Sequence, residues 1–322
     1  MKKASKNHLD SGMSPEYNFR GGVRGKYVSR FKESGERDVA EILHVWAPLI
    51  GFRWAGSERQ VADDTCIRPG SAYRDYEKFP EFKYALSDEE RERCREVEHW
   101  LVLTHARNDH LSTKAKINSF LLALWIVRPT QTHVPFRFET TESGLRQVAR
   151  VLDRFQWVEG QEEDEAEDKH LDYVTLILAP LRRVLAHHRR LKNALALTFR
   201  GCVASGWQSA FICFLAAAEA ILTYSQAAGL PDRLARTYAK LTSAYGASNK
   251  SARNEFGRLY SVGSAIIHGR AYDRQNGPQN LRDLADFADM LRQLWKVVLE
   301  SPKVRSALEG DDRQRQNFFL KL

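Results

Sequence analysis

The sequence predicts a mainly α-helical protein with a smaller α+β region ahead of the helices. Three observations carry that expectation. From residue 168 onward every segment repeats its apolar side chains at three- and four-residue intervals, the period of a helix with one buried face. Only residues 134–140 and 150–158 alternate apolar with polar side chains as a strand does, which gives one short strand pair. Residues 1–38 are basic, punctuated by glycine and poor in large aliphatic groups, so a partly extended tail is expected there. The division is then a tail over 1–38, an α+β region over 39–167 and a helical bundle over 168–322.

The elements follow in order. Tyr17, Phe19, Tyr27 and Phe31 either dock the tail or, interleaved with arginines, stack on single-stranded nucleic acid. Val39, Ile42, Leu43 and Trp46 predict an amphipathic helix over 38–55, stopped by Pro48. Residues 56–81 are polar, contain Pro69, Gly70 and Pro80, and read as loop. Ser87 with Asp88, Glu89 and Glu90 opens a helix reaching about residue 107. Ile117, Phe120, Leu121, Leu124 and Trp125 build another over 113–127, ended by Pro129. After the strand pair, residues 170–192 form a helix with a kink or restart near Pro180, and 190–203 continue it. Residues 207–224 are apolar on nearly all sides and should be the central helix. Pro231 starts the next, with Leu234, Tyr238, Leu241 and Tyr245 facing inward. Residues 280–299 close the bundle, and the charged last twenty residues attach through Phe318, Phe319 and Leu320.

Composition narrows the function classes. With 43% apolar and 28% charged residues among 322, the chain suits a water-exposed globular fold. No run approaches a membrane span, and the N-terminal charges have no apolar stretch behind them, so a cytoplasmic protein without a membrane partner is expected. Cys66, Cys94, Cys202 and Cys213 are far apart in sequence, which favours free thiols and argues against a zinc site. The net charge of +8 points toward a polyanion. Residues 173–218 contain no acid at all but hold Arg182, Arg183, Arg189, Arg190 and Lys192, a candidate RNA-binding face whose other reading is a solvated basic surface. The acidic block over 159–168 reads as a solvated linker.

Residues 250–272 hold the motif around which the chain is organised. Phe256, Leu259, Tyr260, Ile266 and Ile267 predict a helix with one buried face, and Gly269 is a good terminator because it takes positive φ without a Cβ clash. His268 then sits in the last turn as either a packing group or a chemical one. Glu219, alone in the apolar central helix, either orients His268 or an arginine or forms a structural ion pair. Ser264, one turn before His268, either bonds it or a phosphate or is a plain helix serine.

The stretch Arg258-Leu-Tyr-Ser-Val-Gly-Ser-Ala-Ile-Ile-His-Gly resembles the signature of HEPN domains, and of the Apea-like group in particular, which reads Leu-Tyr-x-x-Arg-Ser-x-x-x-His-Gly. Leu259, Tyr260, Ser264, His268 and Gly269 match; the arginine of the pattern falls on Gly263. The resemblance covers residues 113–322 and is firmest over 211–224, 233–240 and 259–270. It implies an antiparallel helical bundle that pairs as a homodimer with the signature histidines facing one another. It also implies a metal-independent endoribonuclease needing no cofactor, of a toxin or anti-phage kind, with a protein regulator as a further partner. His268 would be the acid and base in attack by the 2′-hydroxyl. Arg270, beyond the helix end, is the best substitute for the missing cation, ahead of Arg253 or a cation of the 182–200 block, with Arg258 a poor one and Ser264 and Glu219 in support. The alternative is a degenerate HEPN module that binds RNA or a protein partner without cutting.

Overall fold

The computed structural model describes residues 42–71, 85–106, 109–141, 144–151, 154–155, 165–224, 229–243, 249–269 and 277–321. The expected tail over 1–38 lies outside them. Among the described residues the fold is mostly helical with one antiparallel sheet in its N-terminal half, and no helix is long and apolar enough to cross a membrane.

The sheet is larger than the expected strand pair. Strands β1 (Ile42–Pro48), β2 (Arg59–Ala62), β3 (Thr65–Pro69), β4 (His99–Ala106), β5 (Phe136–Thr141) and β6 (Gly144–Arg150) lie in the order β2-β3-β4-β1-β5-β6. The segment expected as a helix over 38–55 supplies β1, which is central: Trp46 lies opposite Val102 of β4 and Phe138 of β5. Val45 and Ala47 join Ile67, Leu101 and Leu103 in the main core. Trp46 joins Trp100, Val102, Phe136 and Phe138 in a second, smaller cluster. A strand buried on both faces reads as one continuous apolar run, and such a run fits helical spacing equally well.

Three further expectations in this half are corrected. The expected helix from Ser87 to about residue 107 is two elements. Ser87 and Glu90 form the anticipated capping box of α1 (Asp88–Glu96), and Val97 then turns the backbone extended into β4. Residues 59–69, expected as loop, are the β2–β3 hairpin, and the rest of that loop over 72–81 lies outside the described residues. β6 begins at Gly144 instead of Arg150, so the second expected strand was set too far along the chain.

Helix α2 (Thr113–Val127) has the expected span. From Asp168 the chain runs through α3 (Asp168–His187), α4 (Arg189–Val203), α5 (Trp207–Leu222), α6 (Leu230–Thr242), α7 (Asn249–Ile267), α8 (Gly277–Glu300), α9 (Pro302–Glu309) and α10 (Asp312–Lys321). Pro180 does not break α3; the break falls at His188, whose backbone is extended. Pro180 deprives the Leu176 carbonyl of its helical donor, and Leu176 lies on the exposed side at 58%. Helix α5 is buried through Phe211, Phe214, Leu215, Ala217, Ala218, Ile221 and Leu222, the central place its composition predicts. Phe319 is buried and packs 5.2 Å from the Tyr224 ring, whereas Leu320 points to solvent. One apolar core runs from Val45 to Phe319, so the junction near residue 168 is a change of secondary structure inside the single unit 40–322.

A buried polar network fastens the sheet to the helices. Lys116 of α2 is 4% exposed, and its ammonium lies 2.6 Å from Asp64, in the β2–β3 turn, and 2.6 Å from Asp109. It also donates to the Thr104 carbonyl at 3.2 Å. Arg182 of α3 reaches the same turn, donating to Asp64, to the Thr65 hydroxyl at 2.8 Å and to Ser119 at 3.1 Å. Burial alone would raise the Asp64 carboxyl, but Lys116, Thr65 and Arg182 outweigh it and hold it at about 2. A carboxylate lowered in the fold contributes stability above its unfolded value, and that contribution is lost as pH falls through the folded one. Lys116→Ala is expected to cost about 3 kcal/mol at neutral pH by leaving two carboxylates uncompensated. Urea unfolding should also show wild-type stability falling between about pH 5 and pH 2, with a shallower fall in the variant.

Candidate functional site

Helix α7 is held by a stripe of small and aromatic side chains. Ala252, Phe256, Leu259, Val262 and Gly263 are buried. Phe256 stacks on Tyr238 of α6 at 5.1 Å and meets Phe287 of α8 edge-on at 6.0 Å, while Phe211 of α5 stacks on Phe287 at 5.0 Å. The helix ends as its sequence anticipates. His268 N donates to the Ser264 carbonyl at 3.0 Å, Gly269 N donates to Ile266 at 3.1 Å, and Gly269 takes φ +65. His268 is exposed, and Ile267 beside it is 56% exposed although it is a large aliphatic. Ser264 is half-buried one turn earlier.

Position 263 faces the opposite way. A Cβ there would stand 2.6 Å from Leu215 Cδ2 and 3.1 Å from Phe211 Cε1, so glycine is what lets α7 approach α5. The arginine of the resembled pattern would have to enter the core at this point. Two cations on α7 are already paired. Arg258 bonds Glu255 at 2.6 Å, Asp283 at 2.6 Å and Asp286 at 3.3 Å, and these bonds, Glu255 first, raise its proton affinity further. Arg253 bonds Asp232 through Nε at 3.1 Å. Arg270, the preferred substitute, lies outside the described residues.

Among the described residues Glu219 reaches neither His268 nor an arginine. Its carboxylate accepts the Tyr260 hydroxyl at 2.8 Å, joining α5 to α7 two turns before the histidine. Burial and then Glu219 push that phenol up to about 12. The isolated carboxylate was legible in the sequence; its partner, the tyrosine of the same motif, was not.

The basic block divides. Arg182 belongs to the buried network, where its guanidinium is committed to Asp64, Thr65 and Ser119. Arg190 donates to the Thr223 carbonyl at 2.9 Å and so caps the end of α5. Arg183, Arg189 and Lys192 are exposed, as is His187. All four cysteines are free, and burial pushes the thiols of Cys66, Cys202 and Cys213 up, which leaves them poor nucleophiles. Among the described residues no group of His, Cys, Asp and Glu is arranged to hold a metal.

One constellation was not legible at all. Arg53, Arg93, His133 and Arg154 come from four separate elements and line a common pocket of about 470 Å³. They share no spacing or motif. No family model, curated protein or solved structure matches this chain.

Gly263→Arg is expected to lower the unfolding free energy by about 3 kcal/mol, because a long side chain must displace Leu215 and Phe211. Thermal unfolding of Gly263→Arg with and without Leu215→Ala checks this: the double variant should be less unstable than the sum of the two singles.

Proposed function

We propose that the chain is a module of the HEPN lineage that binds RNA without cutting it. One observation carries the reading: the place of the signature arginine is taken by a glycine packed against Leu215 and Phe211, with Arg253 and Arg258 already bound to carboxylates. Cleavage by the 2′-hydroxyl builds negative charge on the phosphoryl oxygens, and a lone imidazole does not neutralise it. Binding has fewer requirements. The exposed Arg183, Arg189 and Lys192, on segments with no acid between residues 173 and 218, offer phosphate contacts of the salt-dependent kind. The lineage itself rests on Leu259, Tyr260, Ser264, His268 and Gly269.

A second reading keeps the endoribonuclease. The exposed Ile267 beside the exposed His268 favours it, since an apolar group at the helix end suits contact with a second copy of the chain. In such a homodimer two histidines would meet, with Arg270 supplying the cation.

The two readings separate in one experiment. Wild type, His268→Ala and Arg270→Ala are incubated with structured and unstructured RNA in EDTA, and binding is measured across salt concentrations. No cleavage is expected from any of the three. Wild-type affinity should fall steeply with salt, and replacing Arg183, Arg189 and Lys192 by Gln should reduce the logarithmic slope by about 2, the share of three single-strand phosphate contacts. Cleavage that vanishes in His268→Ala would overturn the binding module in favour of the enzyme.

A further inference from the structure

We infer that the chain carries a pocket for a free phosphate ester of mononucleotide size, with Arg53 and Arg93 holding the phosphate beside His133. The pocket lies where β1 leaves the sheet. Leu49, Ile50, Gly51, Phe52 and Arg53 form one wall, the last turn and exit of α1 (Arg93, Glu96, Val97, Glu98) another, and His133, Pro135 and Arg154 the third. Its volume of about 470 Å³ falls within the range of small-molecule sites.

The chain around Leu49, Ile50 and His133 is fixed by backbone pairing. Leu49 N donates to the His99 carbonyl at 3.1 Å, and Ile50 and His133 exchange both of their backbone hydrogen bonds at 3.0 Å. Gly51, at φ +75, makes the bend that turns Phe52 inward and leaves Arg53 exposed. Phe52 is 4% exposed and packs edge-on against the His99 ring, 5.5 Å away.

The charges point to the ligand class. Arg53 makes no ion pair among the described residues. Arg93 shares only the exposed Glu89, one turn away on its own helix, an arrangement that a phosphate outcompetes. His133 Nδ1 faces the Gln131 carbonyl at 3.2 Å and must donate to it, which leaves Nε2 with a lone pair when the ring is neutral. Burial first, and then the nearby Arg154 and Arg93, lower its proton affinity and keep it neutral. Arg154 and Arg93 thus project positive potential into the same space. The guanidiniums of Arg53 and Arg93 suit the oxygens of one phosphate through paired N–H donors, and Arg154 adds positive potential beside them. Glu96 and Glu98, on the same wall as Arg93, accept from hydroxyls, as a ribose diol offers, and Val97 and Pro135 give the ligand body an apolar rest. A bare anion would use the guanidiniums and waste the carboxylates; a nucleoside would do the reverse.

This inference does not rest on the RNA-binding reading, and its test keeps the two apart. The full chain is titrated calorimetrically with 5′-AMP, inorganic phosphate and adenosine. AMP should bind, phosphate should compete with it, and adenosine should give no heat. Arg53→Gln and Arg93→Gln alter exposed side chains, so their unfolding curves should match wild type while AMP affinity drops about tenfold in each. RNA affinity should stay unchanged in the double variant. Absence of AMP and phosphate binding at millimolar concentration, or wild-type AMP affinity in the folded double variant, would overturn the assignment. So would a parallel loss of RNA affinity, which would make the pocket a site for an RNA end.

Discussion

The position of Asp64 relative to Lys116 and Arg182 is the constraint on which the architecture depends. Two helices, α2 and α3, send their cations to one two-residue turn between β2 and β3. That contact sets the hairpin against the helices, β3 carries β4 by pairing, and β4 carries the central strand β1. A lysine sealed at 4% exposure is tolerated only with its carboxylates in place, so any displacement of the hairpin is opposed by desolvated charge. Apolar packing of the same volume would hold the layers together with less directional preference. Here the orientation of sheet on helix is specified by ionic geometry, and the continuous core fills in around it.

The exposed end of the motif helix and the proposed pocket both lie where this scaffold ends a regular element. At the last turn of α7, glycine at positive φ stops the helix and leaves an imidazole and an isoleucine in water. At the exit of β1, another glycine at positive φ opens a pocket framed by arginines. Several other polar groups, by contrast, are committed to structure. Arg182, Arg190, Arg258 and Glu219 each hold two elements together, and none is left over for a ligand. A basic or acidic residue in this chain therefore carries information about function only once its partner is known.

The helices after residue 168 were legible because each is long enough to repeat an apolar stripe several times, and their bounds fall within a few residues of the pattern. The sheet was largely hidden. Ile42–Pro48 and His99–Ala106 are short apolar runs buried on both faces, for which helical and strand periods coincide. The β2–β3 turn is built from Asp63 and Asp64, without the glycine that marks most two-residue hairpins. The His268-Gly269 terminus was readable because the reason for glycine is local. The burial of Gly263 was not, since it is decided by Leu215 and Phe211 on another helix. Arg53, Arg93, His133 and Arg154 are brought together by topology alone, and topology was the least readable part.

The tight seam between α5 and α7 also restricts which sequences can follow from this one. Any extended side chain at position 263 needs volume removed at both 215 and 211, each of which is buried in the middle of the central helix. A single replacement there meets the full steric penalty before any compensating change exists. The seam therefore acts as a ratchet: descendants of this chain can exchange surface charges freely, but reopening that gap requires three coordinated steps.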